Sequence, residues 1–373
     1  MKKMTLTLLV GLLSLTTANA FNAEMKTITL SDGEQITARL CLPVNEVKSI
    51  VFCIHGTGPH TYLNRRSTFN YYDELAKGFC GQGVAFFTYN RRGVRTGDTP
   101  PLFVDVDSAK YSKYAPLQEA QDVERMLQVL RADKRFSHCK ILLYGASEGT
   151  IIASLVADRK KERVDALLLH GYAHENMFDI IEWQDAGYGV MLLINDVFDR
   201  NKDKLISRDE YENQDKKLTS SRLQFFQNAP FEALDIVKDS VVDVKDISRM
   251  RAPFHELLMK SILKEDGAWI KSHYFHITPQ WFKAHFELEP NKTRLLRVEI
   301  PIHVFHGTDD ANVPVESVYN LQSRFKTCNK TNLTIHVFEK HNHDLNFFNW
   351  LTENKWSEGF QRLFYCAHTL SVD

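Results

Sequence analysis

The chain predicts an α/β fold, a mostly parallel sheet flanked by helices and interrupted by an inserted, mainly helical cap. Three observations carry this. Apolar runs of strand length alternate with helical patterns between residues 49 and 171, the pattern of a parallel sheet with right-handed crossovers. The alternation stops after Gly171 and strands resume at Ile300, so residues 172–299 are too long a stretch for a loop in a compact domain. Third, Gly145-Ala146-Ser147-Glu148-Gly149 is entered by an apolar run and left by a helical pattern.

The elements follow in order. Residues 25–30 and 35–42 read as two strands around the turn Ser31-Asp32-Gly33-Glu34. Residues 49–54 form a buried strand ending in His55-Gly56-Thr57-Gly58. A helix over 70–79, a strand over 84–89 and an amphipathic helix over 117–130 come next. Residues 141–144 make the strand before Ser147, and Ile151, Ile152, Leu155 and Val156 mark the helix after it. Residues 166–170 are one more strand. Beyond the cap, residues 300–307 and 333–339 read as the last two.

The 373 residues, 43% hydrophobic, suffice for a large core. A formal charge of −1 without long blocks of one sign recommends no nucleic-acid partner. Residues 1–20 read as a secretory signal: Lys2 and Lys3, an apolar run, then Ala18-Asn19-Ala20 as a cleavage site. The apolar run is shorter than the roughly 20 residues of a membrane span. The expectation is therefore an exported protein, periplasmic or secreted, with a mature chain from residue 21 and no membrane span. Six cysteines (41, 53, 80, 139, 328 and 366) would meet an oxidising compartment, and their pairing is open. No C-x-x-C exists, so zinc and thioredoxin-like spacings are absent. Oligomeric state is not legible.

G-x-S-x-G between a strand and a helix is a nucleophile elbow, in which a sharp turn presents one serine above the sheet edge. The flanking glycines are needed because a side chain beside the serine would collide with strand or helix. A serine hydroxyl needs a base, and the base needs an orienting acid, in chain order Ser, Asp, His. Residues 300–314 supply Asp309 and Asp310 just past a strand end, and the spacing Gly-x-x-Asp-x-x-Val-Pro selects Asp310. Residues 340–345 supply His341 and His343; His343 stands before Asp344-Leu345 and is the preferred base. The backbone N–H groups of Glu148 and Thr57 are the candidate oxyanion donors. Arg91, after the strand over 84–89, reads as a structural arginine pinning its loop to the sheet.

The cap carries a second signal. Residues 199–210, DRNKDKLISRDE, match an EF-hand loop with Asp199, Asn201, Asp203, the Leu205 carbonyl, Ser207 and Glu210 as calcium ligands. Lys204 stands where glycine is expected, a left-handed position that costs a lysine roughly 1 kcal/mol. Residues 235–246 are acid-rich but read as lacking the spacing of a second loop.

With these residues in hand, the chain resembles the α/β-hydrolase superfamily, most closely its secreted serine esterase and acyl-aminopeptidase-like branch. HGTGP at 55–59, YNRRGV at 89–94, YGASEGTIIA at 144–153 and HGTDDANVP at 306–314 carry the likeness. It departs from the family's Asp-x-Arg-Gly-x-Gly at Asn90 and Arg95. The resemblance implies an α/β-hydrolase domain built from residues 21–171 and 300–373, with residues 172–299 as the cap. It implies a serine hydrolase acting on small-molecule esters without a cofactor for the chemistry; the calcium loop at 199–210, unusual for the superfamily, is expected from its own spacing to brace the cap. A peptidase or amidase with the same triad, or a silent calcium-dependent binding protein on this scaffold, are the competing readings.

Overall fold

The computed structural model describes residues 21–372, so the signal segment lies outside the described residues. The main sheet has eight strands: β1 (Asn22–Thr29), β2 (Gln35–Leu42), β3 (Ser49–Ile54), β4 (Ala85–Tyr89), β5 (Lys140–Ala146), β6 (Ala166–His170), β7 (Ile302–Gly307) and β8 (Leu333–Phe338). Their order is β1-β2-β4-β3-β5-β6-β7-β8. β2 pairs antiparallel with both its neighbours, and all later pairings are parallel.

Every residue of β3, β4 and β6 is buried, as strands covered on both faces must be. Their alternation divides the core. Ile50, Phe52 and Ile54 join Val123 and Leu127 of α2 (Pro116–Ala132) and Ile152 of α3 (Glu148–Arg159) on one face. Val51 and Cys53 join Leu75 and Phe79 of α1 (Tyr71–Gly81) on the other, where α7 (Glu358–Val372) adds Phe360 and Phe364.

Sequence boundaries shift for local reasons. The helix expected from residue 70 begins at Tyr71 because Asn70 is its extended N-cap. The helix expected over 117–130 gains Pro116, whose fixed φ suits a first turn. A hairpin pairing Val94–Thr96 with Val104–Val106 went unread, being too short for periodicity. All six cysteines are unpaired, five of them buried. No helix among the described residues is long and apolar enough to cross a membrane.

The insertion has two parts. Met191, Ile194 and Phe198 of α4 (Tyr188–Phe198) form a separate small core with Ile206, Tyr211, Phe231, Val242 and Ile247. Leu258 and Ile262, at the far end of α5 (Val244–Leu263), belong instead to the main core, as do Trp281 and Phe282 of α6 (Pro279–Phe286). One 20-residue helix, α5, thus enters both cores.

Two buried arginines follow β4. Arg91 is 1% exposed and donates to Glu119 on α2 and to the carbonyls of His55, Gly56 and Gly58. Arg92 pairs with Asp122 and Asp32. The residue that departs from the family pattern, Asn90, uses its Oδ1 to accept the Tyr62 N–H. Arg91 is therefore structural, but it holds the loop after β3 to α2 rather than its own loop to the sheet. Replacing Arg91 by Met leaves Glu119 buried without its cation, and the expected loss is roughly 3–5 kcal/mol, measured as a lower urea midpoint.

Candidate active site

Ser147 occupies the turn between β5 and α3 with φ 54° and ψ −121°, a conformation rare for any residue with a Cβ. The turn is tight because neither neighbouring glycine has room for a side chain. A Cβ on Gly145 would run into the Gly149 carbonyl, and one on Gly149 would run into the Ile54 carbonyl of β3. The Ser147 N–H donates to the His170 carbonyl at the end of β6, which anchors the turn from the other side.

His343 and Asp310 come together from the loops after β8 and β7. His343 Nδ1 donates to Asp310 Oδ2 at 2.8 Å. The other carboxylate oxygen, Oδ1, accepts the N–H groups of Asn312 and Val313 at 2.8 and 2.9 Å. The Val-Pro end of the spacing motif thus locks the acid from behind. Asp310 is 1% exposed. Burial would push its carboxyl up, but the charge and hydrogen bond of His343 outweigh this and hold it at about 2. Conversely, burial lowers His343 while Asp310 raises it, and the net direction is up from 6.5. The alternatives fall elsewhere. Asp309 accepts the Thr308 hydroxyl in the turn, and His341 Nδ1 bonds the Glu339 carbonyl.

Ser147 and His343 line one cavity of about 310 Å³ with Gly56, Thr57 and Glu148. Among the described residues no hydrogen bond joins Ser147 to His343, and the Thr57 and Glu148 N–H groups have no protein acceptor. Thr57 lies in the loop whose carbonyls Arg91 holds, while the His60 ring donates to the Thr57 carbonyl at 3.1 Å. With these carbonyls turned toward arginine and histidine, the loop's N–H groups are left for another acceptor. Met177, Ile180 and Gln184 form one wall, and Tyr274, Phe275 and Trp281 another, all from the insertion.

The residue that sequence reasoning undervalued is the side chain of Glu148, 1% exposed. Oε1 accepts Trp281 Nε1 at 2.8 Å and His285 Nε2 at 2.7 Å, both on α6, and Oε2 accepts the Tyr114 hydroxyl. Burial raises its carboxyl, but His285, Arg91 and Tyr114 together hold it at about 2. The spacing of Trp281 and His285, four apart on one helix face, was the available signal, though nothing in it points to residue 148.

The calcium-loop residues fall in one turn. Lys204 takes the left-handed conformation expected of it, φ 68°. Asp199 accepts the N–H groups of Asp203 and Lys204, and Glu210 accepts those of Arg200, Asn201 and Ser207. Leu205 and Ser207 follow in the ligand order, and Ser207 with Glu210 forms a capping box on the helix Arg208–Tyr211. Residues 235–246 lie against this turn: Val241 and Val242 pair antiparallel with Ser207 and Ile206. Asp235, Asp239, Asp243 and Asp246 stand at positions 1, 5, 9 and 12 of that segment, and Val237 at position 3 offers no side-chain oxygen. Asp235, Asp239 and Asp246 bring carboxylate oxygens within 4.8 Å of one another, a closeness that Asp199, Asp203 and Glu210 do not reach.

The strand order and the elbow define an α/β-hydrolase fold. A thermostable carboxyl esterase from Bacillus coagulans, solved with glycerol, aligns over 94% of this chain and 99% of its own at 14% identity, with a TM-score of 0.53. A lipase in its open form aligns over 94% and 100% at 14% identity, with a TM-score of 0.50. No protein-family model matches the chain, and no curated protein matches it in sequence. At such identities the likeness establishes the fold.

The backbone of Ser147 is strained at φ 54°. Ser147→Gly should relieve it and raise stability by roughly 1 kcal/mol, read as a higher thermal midpoint.

Proposed function

We propose that this protein is an exported serine hydrolase that cleaves small-molecule carboxylic esters through an acyl-enzyme. The observation that carries the reading is the His343–Asp310 pair opening on the cavity that holds the strained Ser147. Ser147 Oγ attacks the ester carbonyl carbon while His343 Nε2 takes its proton. Asp310 keeps the proton on Nδ1 and stabilises the imidazolium. The carbonyl oxygen, now negative, accepts the Thr57 and Glu148 N–H groups. Collapse expels the alcohol, protonated by His343, and water repeats the sequence on the acyl-serine.

The neighbours of like architecture are by name a carboxyl esterase and a lipase, which supports esters rather than amides as the substrates here. The acyl-aminopeptidase branch is separated by assay: if aminoacyl anilides turn over with higher kcat/KM than esters, the ester reading fails. A fluorophosphonate should label Ser147, located by mass spectrometry of the adduct. Ser147→Ala should lose both label and turnover with an unchanged thermal midpoint or a slightly altered one; ester hydrolysis retained by that variant overturns the reading. The base works only when neutral, and Asp310 raises its pKa. The acid limb of kcat/KM should therefore lie above 6.5, activity falling as pH drops through it. Asp310→Asn should move that limb down and cut kcat by about 10⁴.

Calcium, in this reading, braces the cap and takes no part in the chemistry. Asp199, Asn201, Asp203, the Leu205 carbonyl, Ser207 and Glu210 offer the hard oxygens it needs, and the pairing of the two loops through Ile206 and Val242 supports it. A site of roughly 10⁻⁴ M would stay filled at extracellular calcium. Chelation should lower the thermal midpoint, and less so in Asp199→Ala; a chelator that leaves stability and kinetics untouched refutes this part of the reading.

A further inference from the structure

We propose that His303, His336 and Cys366 form a binding site for a zinc-class transition metal that fastens the last helix to the edge of the sheet. The three residues come from three elements, β7, β8 and α7. In the parallel pairing of β7 with β8, Phe305 lies opposite His336, so His303, two residues earlier, shares their face. That face is the one α7 covers, and Cys366 lies on it, 7% exposed. The two imidazoles are near-parallel at 8° with their centroids 5.7 Å apart, and the Phe305 ring stacks on His336 at 4.6 Å.

The distances are compatible with a metal. In its absence His303 Nδ1 and His336 Nε2 share a long hydrogen bond, 3.4 Å apart. That spacing equals the separation of about 3.4 Å set by two nitrogens on one tetrahedral zinc, each about 2.0–2.1 Å from the metal. Nδ1, Nε2 and Cys366 Sγ all lie within 4.8 Å of one another. The nitrogen–sulfur spacing on zinc is about 3.6 Å, given a Zn–S length near 2.3 Å, so any closure needed is about an ångström or less, within reach of side-chain rotation. Two imidazoles and a thiolate suit zinc, and a His₂Cys set also suits copper. Calcium and magnesium prefer oxygen and are excluded by the donors.

Binding releases one proton, from the Cys366 thiol to solvent, as the sulfur–metal bond forms. Burial pushes the Cys366 thiol up to about 12 against the opposing charge of Arg362, one turn earlier on α7, so the thiolate forms only as the metal binds; Arg362 then faces one net positive charge. A groove beside the edge strand is lined by His336, Gln361 and Arg362, which leaves one of the three ligands open to solvent. Three protein ligands leave a fourth position for water. Sequence spacing gave no hint, because the ligands are not in a local motif.

The test is cobalt(II) titration of the full chain, reduced and saturated with calcium so that the oxygen-rich loops are filled. One equivalent should produce a thiolate-to-cobalt charge-transfer band and tetrahedral d–d bands, and zinc should abolish both by competition. Cys366→Ser should lose the charge-transfer band while keeping fluorophosphonate labelling of Ser147. Should that variant fail to fold, His303→Gln provides the second arm, with the d–d bands weakened and shifted. Absence of a charge-transfer band, or a band that survives both substitutions, overturns the proposal.

Discussion

The Glu148 carboxylate is held away from water by Trp281 and His285 of α6 and by Tyr114, one residue beyond the turn that strains Ser147. A buried carboxylate without partners would cost several kcal/mol, so each of these donors is obligatory once Glu148 is inside. The backbone of the same residue presents the N–H next to the serine. A single residue thus fixes the turn to the insertion. The elbow, the wall of the cavity and the helix above it cannot be displaced separately without exposing or orphaning this charge.

The constraint extends backwards through Arg91. Its guanidinium is held by Glu119 and lies over the Tyr114 ring, 4.1 Å from its centroid, while its other N–H groups hold carbonyls of the loop after β3. Tyr114 is therefore shared: its ring faces Arg91, its hydroxyl Glu148. The two loops that flank the serine are joined beneath the cavity by one continuous polar chain. Its charged members, Arg91, Glu119 and Glu148, are all buried and paired, which resists displacement of either loop.

The parts of this architecture that are local in sequence were legible. The elbow, the Asp310 turn and the choice of His343 over His341 follow from short motifs at strand ends, and the strand boundaries of β2, β3 and β6 from apolar runs. Arg91 was readable as structural because a guanidinium beside a buried strand has few other uses. What escaped depends on distant elements. Glu148 was read for its backbone alone, because nothing near it in the chain announces Trp281 or His285. The pairing of Val241 and Val242 with Ser207 and Ile206 is likewise invisible in the sequence, because each strand is two residues long. The cap read as one body because helical periodicity says nothing of which core each helix enters.

That last point has a mechanical consequence. The N-terminal half of α5 packs in the small core of the paired loops, and its C-terminal half in the core beneath the cavity. Between them stands Pro253, which interrupts the helix's hydrogen bonds, and nearby Arg251 and His255 grip Asp185 on the helix Met177–Asp185 that walls the cavity. The molecule therefore contains two cooperative units of unequal size joined by a rod with a weak point at its middle. Loosening of the smaller unit would be felt at Asp185 before it reached the sheet, so the cavity wall could soften while the strands beneath Ser147 stayed folded.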